Sequence, residues 1–233
     1  MVKVLNLNLW NYNKFEERKP KVIEFIKKHD PDVVILQEVR DDLQFNEEGN
    51  NQAKQLNESL GYPHLLFYPV TDKRNERPEK YKLQCFEGTA VLSKFPILKS
   101  EEKILRKHKD DMYHCGNLYF KIKAEKEIDF IAVHFSPNEL FSLLHLIETL
   151  KYAEEKKIKP VIIGDFNIIN SDVLHDAIYG KYHSSLQEKD YLSYPEGNFT
   201  LDYILVPGGS KFKSFKCEGT DLSDHKALIA EIV

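Results

Sequence analysis

The sequence predicts an α/β (α+β) protein in which two mixed β-sheets pack face to face with helices outside. Three observations predict it. Apolar runs of strand length recur along all 233 residues. Only four stretches space their apolar residues as helices do. Strands and helices do not alternate strictly, so several neighbouring strands must pair as antiparallel hairpins. That order fits two packed sheets better than one doubly wound sheet. No Pro/Gly/Ser-rich linker divides the chain, so residues 1–233 are expected to form one domain.

The elements follow in order. Val2, Val4, Leu5, Leu7 and Leu9 open a first strand. Lys14 to His29 sets Val22, Ile23, Phe25 and Ile26 on a charged background and reads as a helix that stops before Pro31. "DVVILQE" is a buried-type strand. Asn51 to Leu60 is a short helix with Gly61 as its stop. Residues 69–87 are polar and proline-marked, and read as a long surface excursion. "TAVLSK" resumes the sheet, and strands follow at Lys99–Arg106, Leu118–Lys123 and Ile128–His134. Asn138 to Lys156 is the longest helix, with Leu140, Leu144, Ile147 and Leu150 at helical spacing. Core packing explains its apolar residues better than a membrane role does. "KPVIIGDFN" is another buried strand, Ser171 to Tyr179 a short helix, and strands close the chain at Leu201–Val206, Lys211–Lys216 and Ala227–Ile232.

Several of these strands end or begin on a residue with chemistry. "DVVILQE" ends on Glu38 and "FIAVH" on His134; "VIIGDFN" delivers Asp165 and Asn167. "LDYILV" begins with Asp202, and the closing strand follows Asp224 and His225. Taken singly, each has a plain structural explanation. Glu38 caps a loop, His134 is a satisfied core histidine, Asp165 makes an Asx turn, and Asp202 solubilises a strand edge. Taken jointly, at matching strand ends, they are expected to share one rim. Carboxylates and amides are hard oxygen ligands that suit Mg²⁺, or Mn²⁺, better than zinc. Imidazoles beside such an ion polarise phosphate oxygens or move protons. The combination points to hydrolytic phosphoryl transfer. His29, His64, His108, His114, His145, His175 and His183 are left as background.

Read in order, "VLNLN", "PDVVILQE", "GTAVLSKFPI", "IAVHFSPN", "VIIGDFN", "LDYIL" and "LSDHKAL" resemble the signature of the endonuclease/exonuclease/phosphatase superfamily, over nearly the whole chain. The resemblance implies a DNase I-like fold, a four-layer α-β-β-α sandwich. It also implies roles. Asn8 and Glu38 match the metal-binding Asn and Glu, and Asp224 a possible second metal ligand. Asp165 and Asn167 match the pair that orients the attacking water and the metal-bound phosphate. His134 matches a phosphate-contacting His, and Asp202 the Asp that buttresses the last His. His225 matches that His, a general base or transition-state stabiliser. The chain departs from some subfamilies. Thr200 stands where many relatives have Arg, and "NLNLW" differs from the first strand of abasic-site endonucleases and is closer to sphingomyelinase-like members.

The expected activity is therefore Mg²⁺-dependent phosphodiester hydrolysis, with nucleic acid as first substrate. A small phosphorylated molecule or phospholipid is the alternative, and an inactive phosphate-binding relative a remote one. Lys73, Arg74, Arg77 and Tyr81 are candidate substrate contacts, because basic and aromatic residues together follow a phosphate backbone and stack bases. The neighbouring acids Asp72, Glu76, Glu79 and Glu87 equally suit a solvated charged loop. A net charge of −4 argues against a surface coated for nonspecific nucleic-acid binding. Cys85, Cys115 and Cys217 lack the spacing of a disulfide framework or zinc site. With no signal peptide visible and no run of transmembrane length, a cytoplasmic monomer is expected.

Overall fold

The computed structural model describes residues 1–72, 83–111 and 113–233. The first half of the chain holds β1 (Val2–Asn8), α1 (Phe15–His29), β2 (Val33–Asp42), α2 (Gln52–Leu60), β3 (His64–Asp72), β4 (Cys85–Ser93), β5 (Ile97–Ile104) and β6 (Gly116–Lys123). The second holds β7 (Glu127–His134), α3 (Glu139–Lys156), β8 (Val161–Asp165), α4 (Ser171–Ile178), β9 (Tyr182–Ser184), β10 (Asp202–Pro207), β11 (Phe212–Glu218) and β12 (Ala227–Ile232). One sheet has the order β11-β12-β1-β2-β4-β3, the other β5-β6-β7-β8-β10-β9. Both are mixed. β1 and β2 run parallel through the α1 crossover, and β7 and β8 through α3; the remaining ladders are antiparallel.

Three apolar layers hold the four layers of structure together. α1 and α2 place Phe15, Val22, Ile26, Ala53 and Leu56 on one face of the first sheet, against Leu5, Leu7, Val34, Leu36 and Ile229. α3 and α4 place Leu146, Leu150, Leu174 and Ile178 on the second sheet, against Ile131, Val133, Ile162 and Leu205. Between the sheets lie Val4, Ile35, Val91, Phe120, Phe130, Ile163, Ile204 and Leu228. The expected α-β-β-α sandwich is thus present. The helix boundaries follow their cap residues: the Asn51 and Asn138 side chains accept backbone N–H groups of the first turns of α2 and α3, and Gly61 ends α2 at φ 74°.

Two strands escape sequence reading. β3 lies at a sheet edge and contains Pro69, which an edge tolerates because no outer neighbour needs its missing N–H. The surface excursion read over residues 69–87 is corrected at both ends, because β3 continues to Asp72 and β4 begins at Cys85; residues 73–82 lie outside the described residues. β9 spans three residues, too few to show a period.

The apolar spacing of α3 also misleads. Leu140 and Ile147 are 63% and 37% exposed, and the buried face carries Ser142, His145, Leu146, Thr149 and Leu150. The helix is apolar on both sides, so periodicity alone cannot choose a face. Hydrogen bonds choose it: Ser142 Oγ donates to the Asn167 carbonyl, Asn117 Nδ2 donates to Thr149 Oγ1, and His145 Nε2 meets the Arg106 carbonyl at 3.2 Å. Since that carbonyl accepts, Nε2 carries the proton and Nδ1 is left to accept from the Ser136 N–H at 3.4 Å.

Burial is the largest influence on His145 and holds its pKa below the ordinary value; the Arg106 carbonyl and Asp111 pull weakly the other way. The folded ring therefore resists protonation more than the unfolded one. As pH falls through about 6.5, the unfolded chain takes up the proton first and stability falls. Melting temperature is expected to drop between about pH 7.5 and about pH 5.5, and His145→Gln to shrink that drop. An unchanged pH dependence in the variant would remove His145 as its source.

Candidate active site

The site grows out of the inter-sheet layer by the two-residue period of the strands. Side chains at alternate positions face the same side of a sheet. Along β1 the row facing the second sheet runs Val2, Val4 and then Asn6, Asn8. Along β8 it runs Val161, Ile163 and then Asp165. On β7 it runs Phe130, Ala132, His134, and on β10, read backwards, Val206, Ile204, Asp202. Each row turns from apolar to polar at the same end of the sandwich. Pairing enforces the alignment, because His134 and Asp202 both lie opposite Asp165 in their ladders. Gly164, at φ 152°, makes the close fit of β8 to β7 possible: a Cβ there would lie 2.0 Å from the Val133 carbonyl oxygen.

Asp202, His225 and Asp165 form the buried centre. His225 Nδ1 sits 2.7 Å from Asp202 Oδ2, and its Nε2 faces Asp165 Oδ2 at 4.0 Å. His134 Nε2 approaches the same Asp165 oxygen at 3.8 Å. Asp202 is held on every side. Asn6 Nδ2 donates to Oδ1 at 3.2 Å, Gln37 donates to Asn6, and Ser193 Oγ accepts the Asp202 N–H at 3.0 Å. Thr200 donates to the Tyr191 carbonyl and so braces the same loop. Burial opposes a charge on His225, but the Asp202 carboxylate, with Asp165 and Asp224 beyond it, outweighs burial and raises its pKa. Burial, then the Asp202 charge, raises the Asp165 carboxyl, against the pull of His225, His134 and Asn8. The Asn167 N–H donates to Asp165 Oδ1 at 3.0 Å, so the Asx turn is present as well as the cluster. Asn167 itself, at φ 51°, donates from Nδ2 to the Phe135 carbonyl.

Glu38 reaches this rim by a β-bulge. In the ladder with β4, Leu36 pairs with Ala90 and Val39 with Gly88, so Gln37 and Glu38 together face one residue, Thr89. Glu38 adopts φ 52°. Simple alternation would put Glu38 on the helix side with Leu36. The bulge carries it to the site instead, and returns Val39 to the helix side. Asn8 Nδ2 lies 3.1 Å from Glu38 Oε1 and 3.1 Å from Asp165 Oδ2, and Asn11 Nδ2 lies 3.3 Å from Glu38 Oε2. Asp224 stands nearby: burial, with Glu38 adding to it, raises its carboxyl above the ordinary range, while His225 and Ser223 Oγ pull it down.

A buried guanidinium holds the two loops that carry these groups. Arg18 is 6% exposed. It donates to the carbonyls of Leu9 (2.9 Å), Leu222 (2.8 Å), Asn11 (3.1 Å), Trp10 (3.3 Å) and Asn13. Trp10, Asn11 and Lys14 all take positive φ, and Gln52 Nε2 and the Asn13 N–H share the Asn11 and Trp10 carbonyls with the clamp.

The rim opens into a cleft of about 430 Å³ whose lining includes Glu38, His134, Asp165, Asn167, Asp224 and His225, together with Arg40, Glu87, Thr89, His114 and Tyr194. Arg40 Nε and Glu87 Oε2 are 2.6 Å apart. The Tyr194 ring lies 5.0 Å from that of His225. All eight rim residues named from the sequence lie here or, for Asn8 and Asp202, directly beneath. The four proposed substrate contacts, Lys73, Arg74, Arg77 and Tyr81, lie outside the described residues. Sequence reading missed Asn6, Asn11, Arg18, Thr89, Ser193 and Tyr194. Asn6 was findable as the polar member of the Val2–Val4 row; nothing local marks the others. Asp165, Asp202 and His225 offer ligand atoms within 4.8 Å of one another. The hydrogen bond joining His225 Nδ1 to Asp202 leaves no place for an ion between those two atoms. Among the described residues no helix is long and apolar enough to cross a membrane.

An α-β-β-α sandwich with carboxylates, amides and two imidazoles at one rim is the architecture of a phosphoesterase class. The chain belongs to the Endonuclease/Exonuclease/phosphatase family, whose model matches residues 6–225. Solved structures agree on the fold. A family protein from Leptotrichia buccalis superposes with TM-score 0.81 at 18% identity, covering 100% of both chains. A mannosyl-6-phosphatase from Bacteroides thetaiotaomicron gives 0.73 at 18% identity, again over 100% of both. The human Nocturnin catalytic domain with bound sulfate gives 0.74 at 19% identity, covering 100% of this chain and 94% of that one. No curated protein sequence matches significantly. The family is generally hydrolytic on phosphate esters and typically depends on a divalent metal.

Proposed function

We propose that the protein hydrolyses a phosphate ester with a divalent cation, Mg²⁺ by preference, held by Glu38, Asn8 and Asp224. The observation that carries this reading is the convergence of both sheets' polar rows on Asp165. Asn8 from one sheet and His134 and Asp202 from the other surround it, with His225 opposite. The donors fit such a cation. Glu38 and Asp224 offer hard carboxylate oxygens, and a cation would offset the burial and mutual repulsion that raise the Asp224 pKa. Asn8 would add its Oδ1, which accepts the Trp10 N–H at 3.0 Å while Nδ2 holds Glu38 and Asp165. When bound, the cation would polarise a phosphate oxygen and lower the charge the site must stabilise.

The chain's own groups do the rest. His225, kept protonated by Asp202, donates toward a phosphate oxygen from Nε2. His134 meets the phosphate from the opposite side, at the end of β7. Asp165, oriented by Asn8 and by the Asn167 N–H, accepts the proton of the attacking water. The Asn167 side chain is pinned to the Phe135 carbonyl and shapes the wall beside it. The cleft volume suits a small phosphate ester, with a leaving group the size of a sugar or nucleoside. Cleavage of nucleic acid is the second reading; it rests on the basic and aromatic residues Lys73, Arg74, Arg77 and Tyr81 in the sequence. Purified protein with Mg²⁺ is expected to release product from bis-p-nitrophenyl phosphate or from one member of a panel of sugar phosphates, nucleotides, phospholipids and oligonucleotides. EDTA should abolish release. Silence across the panel with Mg²⁺ and Mn²⁺ would overturn the reading in favour of an inactive phosphate binder.

A further inference from the structure

Thr89 carries a contradiction. It is 1% exposed, and among the described residues its hydroxyl has no hydrogen-bond partner. A buried, unpaired hydroxyl destabilises the fold, and valine of the same shape would avoid that cost. Its position says what the hydroxyl awaits. On β4 it lies two residues before Val91, which belongs to the inter-sheet layer, so it continues that inward row as Asn6 and Asp165 continue theirs. It lines the cleft. It is also the single residue facing the Gln37–Glu38 bulge. An unpaired hydroxyl therefore stands across the ladder from the carboxylate proposed to bind the cation.

We infer that Thr89 is a positioning residue for the cation: its hydroxyl hydrogen-bonds to the hydration shell of the ion held by Glu38, Asn8 and Asp224. Magnesium sheds its waters reluctantly and keeps several, so a site for it needs partners for those waters as well as direct ligands. The inference rests on the metal-dependent reading above and adds a residue to it.

The test compares wild type, Thr89→Val and Thr89→Ser by thermal melting, first in EDTA and then across a titration of MgCl₂ or MnCl₂. In EDTA, Thr89→Val is expected to melt at or above the wild-type temperature. The wild type should gain stability as the cation binds. Thr89→Val should need about tenfold more cation for the same gain, and Thr89→Ser should restore the wild-type curve. The cation concentration for half-maximal hydrolysis should shift in parallel, with KM for substrate at saturating cation unchanged. A melting temperature for Thr89→Val several degrees below wild type in EDTA would make the hydroxyl structural and overturn the inference. So would a normal wild-type response with an unshifted variant, and that result would leave the metal reading standing. No cation response in the wild type would overturn both.

Discussion

His225→Ala is expected to lower turnover by about two to four orders of magnitude without unfolding the protein. His225 is buried, but its partners are polar and lie around the cleft, so removing the ring leaves the three apolar layers intact. Asp202→Asn should lose nearly as much by another route. An amide in place of Asp202 removes the charge that keeps the imidazole protonated, and it presents either a donor or a neutral acceptor to Nδ1. Steady-state kinetics on whichever panel substrate responds, with circular dichroism and melting curves of both variants, provides the check. Folded variants with near-normal turnover would refute the assignment. The double variant should lose little more than the worse single one, since the two side chains act as a unit.

Arg18→Met should be among the most destabilising substitutions in the chain, by about 3–5 kcal/mol. Its guanidinium contributes little through charge pairing: burial pulls its pKa down, and Asp224 and Glu38 act only at a distance. Its effect is geometric. One planar fork reaches carbonyls of the Leu9–Asn13 loop and of Leu222 at once; Gln52 Nε2 shares the Asn11 carbonyl and the Asn13 N–H the Trp10 carbonyl, so the Leu9, Asn13 and Leu222 carbonyls are the ones that rest on Arg18. Arg18→Lys should recover only part of the loss, because an ammonium cannot span the same set. Urea denaturation measures the change, and a loss below about 1 kcal/mol would mean that water replaces the fork. Because Leu222 precedes Asp224 and His225 in one short loop, residual activity should fall with stability.

The fold and the rim were legible wherever one strand carried its own evidence. "VIIGD" and "FIAVH" are apolar runs that end in a charged or titratable group, and the period of two keeps that group on the core's side. The rest needed a second strand or loop. Glu38 faces the site only because of a bulge that its ladder with β4 reveals. Thr89 reads as one more β-branched strand residue until its hydroxyl is seen to lack a partner among the described residues. Arg18 lies in a run of charges, "EERKPK", that looks like a solvated helix face. β3 was hidden by a proline that only an edge position permits. In each case the missing information concerned which segments meet, and local sequence pattern does not hold it.

The hydrogen bonds that cross between the sheets join very distant parts of the chain. Asn8 to Asp165 spans 157 residues and Asn6 to Asp202 spans 196. Each sheet can in principle assemble from hairpins and a crossover unit, but neither holds the rim alone. Closing such long loops costs entropy that is repaid only when the two inward faces dock. The order of events in folding is thereby constrained: secondary structure can precede the site, and the site cannot precede sheet docking. The assembled rim is the last feature this chain acquires, and the first it loses when the sheets part.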